Sequence, residues 1–333
     1  MLQIGDIKVP SSLVLAPMSG ISDLPFRLLN RTFGCELAFT EMISASALAY
    51  RSKNTLSMLS TTGDDRPLGL QILGNDTDII KMALDNVSES DFDVIDLNAA
   101  CPSRKVVSGG RGAGLLKDPL KLQRLLEMII GCTEKPVTVK IRSGWDEISV
   151  NAVEVALRAR DAGVSALFIH GRTRNQGYSG NVDYNVIREV KESLDIPVIA
   201  SGDALSPVLV SKLFDETGCD GVIVARGALG NPWIFRDTAD YLKSGIFPVR
   251  PDADEIVRTM KEHFVSSIDS SGEKIGVLRF RKFFAWYTRG MFAKELKRRV
   301  FRAASRDEML RLIEEVRSCP AVRDRSLMSG KFQ

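Results

Sequence analysis

Eight short runs of β-branched and apolar residues recur through the first 226 positions of this 333-residue chain. They are Leu13–Ala16, Leu37–Thr40, Leu68–Leu73, Val94–Asn98, Val137–Ile141, Ala166–His170, Val198–Ser201 and Gly221–Ala225. Their near-continuous apolar character is that of strands buried on both faces of a parallel sheet. Most are separated by stretches of helical periodicity with start signals. Ser22-Asp23-Leu24-Pro25, Asp118-Pro119 and Ser206-Pro207 each place a capping side chain near an early proline. Eight such units predict a (β/α)8 TIM barrel, a fold of about 250 residues. A doubly wound open sheet of eight strands is the structural alternative.

From Pro251 onward the strand signal stops. Asp252–Ser270, Lys274–Lys297 and Asp307–Arg317 read as helices, and Gly245, Pro248 and Pro251 mark a linker before them. The expected division is a barrel domain over 1–247 and an all-helical domain over 248–333. Charge divides the same way. Residues 250–333 hold 19 Lys and Arg against 12 Asp and Glu, whereas residues 1–249 hold 26 against 30. Between Arg279 and Arg306, ten basic residues face a single acid, Glu295. Such asymmetry points to a polyanionic partner for the C-terminal part.

With 44% apolar and 26% charged residues, the composition is that of an ordinary soluble domain rather than a disordered or fibrous chain. No apolar run approaches the ~20 residues that cross a bilayer. Met1 to Asp6 carries neither a basic segment nor an apolar one, so a cytoplasmic protein without a secretory leader is expected. The cysteines at 35, 101, 132, 219 and 319 form no CxxC pair, which argues against a disulfide framework and a zinc ribbon. With only His170 and His263 in the chain, no metal site is expected.

In a TIM barrel the chemistry sits at the C-terminal ends of the strands. Those ends carry Pro17-Met18-Ser19, Glu41, Gln71, Asn98 to Cys101, Lys140 and Arg142, His170 with Arg172 and Arg174, Ser201-Gly202-Asp203, and Ala225-Arg226. Small residues after strands seven and eight, with Arg226, read as a phosphate cup. Lys140 has three readings: a Schiff-base lysine, a phosphate contact, or the positive charge beside the N1/O2 edge of a flavin. Cys101 is either a small buried hydrophobe or a thiol that donates a proton, since an unperturbed thiol (pKa about 8.5) is protonated at neutral pH. The glycine-rich segment Ser108–Gly114 that follows reads as a mobile or close-packed loop over a substrate.

The basic C-terminal stretch interleaves aromatics, from Phe280 to Phe301, most of which are expected in the core of the helical unit. Its cations, Arg289, Lys294, Lys297, Arg298, Arg299, Arg302 and Arg306, are too many for solvation alone and suit a phosphate backbone.

Several segments together resemble the tRNA-dihydrouridine synthase family, most closely its bacterial B-type branch. They are Leu15-Ala16-Pro17-Met18-Ser19-Gly20 with Asp23-Leu24-Pro25-Phe26-Arg27, Asp96-Leu97-Asn98 to Cys101-Pro102, Gly112-Ala113-Gly114-Leu115-Leu116, Lys140-Ile141-Arg142, Ile169 to Arg174, and Gly230-Asn231-Pro232-Trp233. The likeness continues through Arg281-Lys282 and Trp286-Tyr287. It implies FMN at the barrel mouth, NADPH as reductant, and tRNA as substrate and partner, with hydride passing from flavin N5 to uracil C6 and a proton from Cys101 to C5. It further implies that Pro17, Met18, Ser19 and Gln71 touch the isoalloxazine ring and that Lys140 sits at its N1/O2 edge. His170, Ser201, Gly202, Asp203, Ala225 and Arg226 would hold the ribityl phosphate. Asn98, Arg142, Arg172 and Arg174 would meet the uridine, and Arg281, Lys282, Lys297, Arg298 and Arg299 the RNA body. A monomer, with neither membrane nor metal, is expected. Ala100, Ser201 and Ala225 depart from the family's usual Gly, Asn and Gly. The alternatives are a small-molecule FMN oxidoreductase of dihydroorotate or enoate type, a cofactor-free RNA-binding module, and a Schiff-base aldolase built on Lys140.

Overall fold

In the computed structural model, which describes residues 1–320, the eight runs form eight parallel strands that close on themselves. The strands are β1 (Leu13–Leu15), β2 (Leu37–Phe39), β3 (Leu68–Leu73), β4 (Val94–Asn98), β5 (Val137–Arg142), β6 (Ala166–His170), β7 (Val198–Ser201) and β8 (Gly221–Val224). The ring closes where Val222 of β8 pairs with Leu13 of β1, so the open-sheet alternative falls. Short and nearly wholly buried strands account for the missing polar alternation: helices cover one face and the opposite wall of the barrel faces the other.

Side-chain parity determines what the lumen holds. Val14, Leu37, Phe39, Val94, Ala166, Phe168, Ile199 and Ile223 form one apolar cluster inside the barrel. Continuing each strand by two residues along the same face leads to Gln71, Asp96 and Asn98, Thr138 and Lys140, His170 and Ser201. The lumen is therefore apolar at its N-terminal end and polar at its C-terminal end. A two-stranded antiparallel hairpin, Leu2–Ile4 with Ile7–Val9, adds Leu2, Ile4 and Val9 to the apolar cluster. The sequence reading missed this hairpin, because strands of three residues lie below what periodicity detects.

Among the described residues four α-helices follow the barrel: Ala253–Ser271, Glu273–Tyr287, Lys294–Val300 and Arg306–Glu314. The helix expected over Lys274–Lys297 is thus two. The first leaves its axis at Thr288, whose hydroxyl donates to the Phe284 carbonyl, and the chain turns through Arg289-Gly290. Phe280, Phe283, Phe284 and Tyr287 are buried, as expected of a helical core, whereas Phe292 and Phe301 are 67% and 54% exposed. Phe26 of the first barrel helix, α1 (Leu24–Thr32), stacks on Phe283 at 5.6 Å and so joins the two units. Residues 321–333 of the expected helical domain lie outside the described residues.

Helix α1 is anchored by charge. Asp65, with its side chain wholly buried, accepts from Arg27 Nε at 2.8 Å and Arg31 Nε at 2.9 Å. Arg27, equally buried, gives its remaining donors to the carbonyls of Ser22 and Ser60 at 2.8 Å each. Removing the carboxylate strands a buried guanidinium. Asp65→Ala is expected to cost about 3–5 kcal/mol, read by urea denaturation. A loss below about 1 kcal/mol, the range of an exposed ion pair, would show that the site admits water.

Candidate active site

At the C-terminal end of the barrel lies a cavity of about 360 Å³. It is lined by Pro17, Met18, Ser19, Gln71, Asn98, Cys101, Lys140, Arg142, His170, Ser201, Gly202, Asp203, Ala225 and Arg226. The sequence reading named all of these; the fold brings them together from all strands but β2, whose extension delivers Met42 to the same wall.

A ladder of buried hydrogen bonds runs beneath the cavity. Thr138 Oγ1 donates to Asp96 Oδ1 at 2.7 Å, and Gln71 Nε2 donates to Asp96 Oδ2 at 2.8 Å. Gln71 Oε1 in turn accepts from Asn98 Nδ2 at 2.8 Å. Asn98 Oδ1 finally accepts from the backbone N–H of Ala100 at 3.1 Å and of Cys101 at 2.8 Å. Every member shares lumen parity, and the order ends on the peptide that carries the thiol. Arg142 holds the other side of that turn, its Nε donating to the Ala100 carbonyl at 2.7 Å and its Nη1 to Gly177 and Thr173. Ala100 does not occupy the left-handed backbone region, so its methyl group fits where the family pattern has glycine.

The glycine-rich loop is close-packed on this turn. Ala113 N–H donates to the Cys101 carbonyl at 3.1 Å, and Gly112 has φ +57°. A Cβ at Gly112 would stand 2.8 Å from the Cys101 oxygen. Cys101 itself is half-buried and borders the cavity.

Two cavity-lining groups are buried without partners among the described residues, Lys140 Nζ and His170 Nε2. Burial, assisted by Arg142, lowers the Lys140 ammonium from 10.5 to about 8, although Asp96 opposes the shift. Burial, then the charges of Arg142, Lys140, Arg172 and Arg226, holds His170 well below its ordinary 6.5, so its ring is neutral at pH 7. A neutral ring and an ammonium whose charge burial disfavours, both short of partners, are groups that an electron-rich or anionic ligand would complete.

The predicted phosphate turn has more structure than its sequence disclosed. Asp203, at φ +50°, accepts from Arg172 at 2.6 Å and from Arg226 at 2.7 Å. Arg172 also donates to the Gly180 carbonyl at 2.7 Å and is buried behind the cavity, where it braces the turn. Tyr178, which no sequence signal flagged, stands at the cavity edge with Arg226 and Arg142 at 5.2 and 5.7 Å from its ring.

The remaining basic residues lie elsewhere. Arg174 stacks on Trp145 at 4.7 Å, outside the cavity. Arg281 donates to the Ala303 carbonyl at 2.7 Å within the helical unit. Lys282 Nζ reaches the Gly20 carbonyl, while the Gly20 N–H donates to Glu41, so one residue of the Pro17–Gly20 turn is held through both of its flanking peptides. Lys297 bonds the Thr288 carbonyl at 3.2 Å, and Arg299 forms a two-pronged pair with Glu315 at 2.5 and 2.7 Å. Arg298 is exposed and, among the described residues, pairs with Glu295 at 3.2 Å. Asp96 and Thr138 were missed as site residues, although counting back two positions from Asn98 and Lys140 finds both.

Burial pushes the Asp96 carboxyl up from 3.8 to about 6, against the opposing effects of Gln71, Thr138 and Lys140. The folded state thus binds this proton more tightly than the unfolded state does. Its contribution is full below about pH 4 and is lost as pH rises through about 6. The stability difference between the cofactor-free parent and Asp96→Asn should therefore change between pH 4 and 7. Parallel stability–pH curves would sink the assignment.

The chain matches the family profile described as dihydrouridine synthase (Dus) over residues 14–320. It is 38% identical to a probable tRNA-dihydrouridine synthase of Rickettsia conorii over 292 residues, covering 87% of this chain and 88% of that protein. It is 36% identical to tRNA-dihydrouridine synthase B of Pseudomonas putida, covering 86% and 85%. Against the protein of that name from Pseudomonas aeruginosa it is 36% identical, covering 86% of each.

Proposed function

The chain belongs to the dihydrouridine synthase family, and from that premise we propose that it reduces the C5=C6 bond of uridines in tRNA, with FMN in the barrel cavity and NADPH as reductant. The observation that carries the reading is the pair of unpartnered buried donors, Lys140 Nζ and His170 Nε2, lining one cavity with the half-buried thiol of Cys101. FMN, when bound, supplies the hydride that saturates C6.

Pro17, Met18, Ser19 and Gln71 would flank its ring, Lys140 its N1/O2 edge, and His170 with the Ser201–Asp203 and Ala225–Arg226 turns its phosphate. Lys140 is suited to that edge because a ligand with negative character restores the charge that burial disfavours. Cys101 holds a proton at Sγ and delivers it to C5. Asn98 fixes the peptide of that thiol, Arg142 fixes the carbonyl before it, and Arg172 steadies Asp203. These three position the reacting groups. The target uridine leaves its stack to enter the cavity.

The exposed Arg298, Phe292 and Phe301 offer charge and ring faces to the RNA body. Arg299 joins them by exchanging its exposed, solvent-screened pair with Glu315 for a phosphate. A cytoplasmic enzyme acting as a single chain fits this reading, and no described helix is long and apolar enough to cross a membrane.

Purified protein should show oxidised-flavin absorption that bleaches anaerobically with NADPH, and nucleoside analysis of treated tRNA should find dihydrouridine. Cys101→Ala should keep flavin content and tRNA affinity and lose about 10²–10⁴-fold in turnover, the range of a general acid. A colourless protein that refuses added FMN overturns the reading. Turnover unchanged in Cys101→Ala removes the thiol from the proton-donor role.

A further inference from the structure

A second cavity, of about 200 Å³, opens at the seam between the barrel and the C-terminal helices and shares Leu205, Arg226 and Leu229 with the first. Three arginines line it, each from a different part of the chain. Arg226 follows β8, Arg250 ends the linker, and Arg289 lies in the turn after Tyr287. No carboxylate lines it among the described residues. Arg226 reaches Asp203, but on the side of the first cavity. Arg250 Nη2 donates to the Arg289 carbonyl at 3.2 Å, which holds the linker against the helical unit and brings two like charges together. Arg226 thus has its counter-charge, whereas Arg250 and Arg289 form no ion pair among the described residues, and an anion in the hollow would compensate both.

The hollow is built rather than incidental. Gly230, at φ +66°, lies so close to the end of helix Glu273–Tyr287 that a Cβ there would stand 2.4 Å from the Trp286 carbonyl carbon. That contact fixes the floor, and Trp286 offers a partly exposed indole beside the arginines. A fork of planar guanidinium donors recognises phosphate oxygens in pairs, and an indole face takes a sugar or a base.

We propose that this seam cavity is a phosphodiester subsite, seating a backbone phosphate of the RNA strand beside the nucleotide that enters the barrel. The proposal rests on the tRNA reading above and adds to it a specific position. The helices and the barrel would then grip the strand together at the point where it bends into the cavity.

The test is tRNA binding by the flavin-loaded full chain from about 50 to 200 mM salt, comparing the parent with Arg250→Gln/Arg289→Gln. Loss of a single-strand phosphate contact should make the slope of log affinity against log salt shallower by about 0.7. Affinity near 100 mM salt should fall about tenfold. Arg250→Lys/Arg289→Lys, which keeps both charges, should restore the slope. Flavin content and the NADPH dependence of anaerobic bleaching should match the parent.

An unchanged slope in the folded, flavin-replete Gln variant overturns the subsite while leaving the tRNA reading intact. Loss of flavin would assign the arginines to the cofactor, and a raised NADPH requirement would assign them to the dinucleotide's phosphates; either overturns the proposal. If the parent itself neither binds tRNA in a salt-dependent way nor reduces it, the broader reading fails and the subsite with it.

Discussion

A closed parallel barrel has no edge and no second way to orient its strands, so a residue's parity decides whether it lies in the lumen or under the helices. Everything at the active end of this molecule depends on that constraint. Val14, Phe39, Val94, Phe168, Ile199 and Ile223 fill the lower lumen because they share a face. Gln71, Asp96, Asn98, Thr138, Lys140 and His170 occupy the upper lumen because they share the same one. Each polar side chain at that level must find its partner within the ring, since water cannot reach it from below. The ladder from Thr138 through Asp96, Gln71 and Asn98 to the Cys101 peptide meets that demand. The hydrogen bonds required by burial are also those that aim the thiol.

Lys140 and His170 are the two positions where that demand is not met from within. An unpaired buried donor costs about 1–3 kcal/mol, and two in one cavity lie far from the minimum that packing alone would select. Charge follows the same pattern. Lys140, Arg142, Arg172 and Arg226 crowd the cavity's end of the barrel, with Asp96 below and Asp203 at the rim as counter-charges. Burial, and after it this positive potential, depresses Lys140 and His170, so an electron-rich guest would stabilise the site.

The barrel was legible because parallel strands buried on both faces produce dense apolar runs, a signal that survives without an alignment. Candidate site residues followed by rule from the strand ends, and they converge on one cavity. What stayed hidden depended on contacts between distant segments. Arg172 reads as a ligand for substrate, yet its guanidinium braces Asp203 and the Gly180 carbonyl. Arg281 reads as an RNA contact, yet it donates to the Ala303 carbonyl. A basic side chain looks the same in sequence whether it faces a phosphate or a carbonyl. The three-residue strands of the N-terminal hairpin were too short to show periodicity. The break at Thr288 was invisible because Phe284 and Thr288 are also compatible with a continuing helix.

The helical unit is more than a basic handle attached to a finished enzyme. Phe26 of the first barrel helix stacks on Phe283, and Gly230 after the eighth strand lies against the backbone of Trp286. Lys282 reaches across to the Gly20 carbonyl, in the turn that also supplies Pro17, Met18 and Ser19 to the cavity. The helices therefore touch both the first and the last loop of the barrel, the two places where a closed ring joins its ends. A displacement of the helices on meeting a polyanion would be felt at the Pro17–Gly20 turn through a single residue, Gly20, whose carbonyl is held by Lys282 and whose N–H is held by Glu41. The helical unit and the turn that lines the cavity wall meet at that residue, so the helices and the barrel form one mechanical unit.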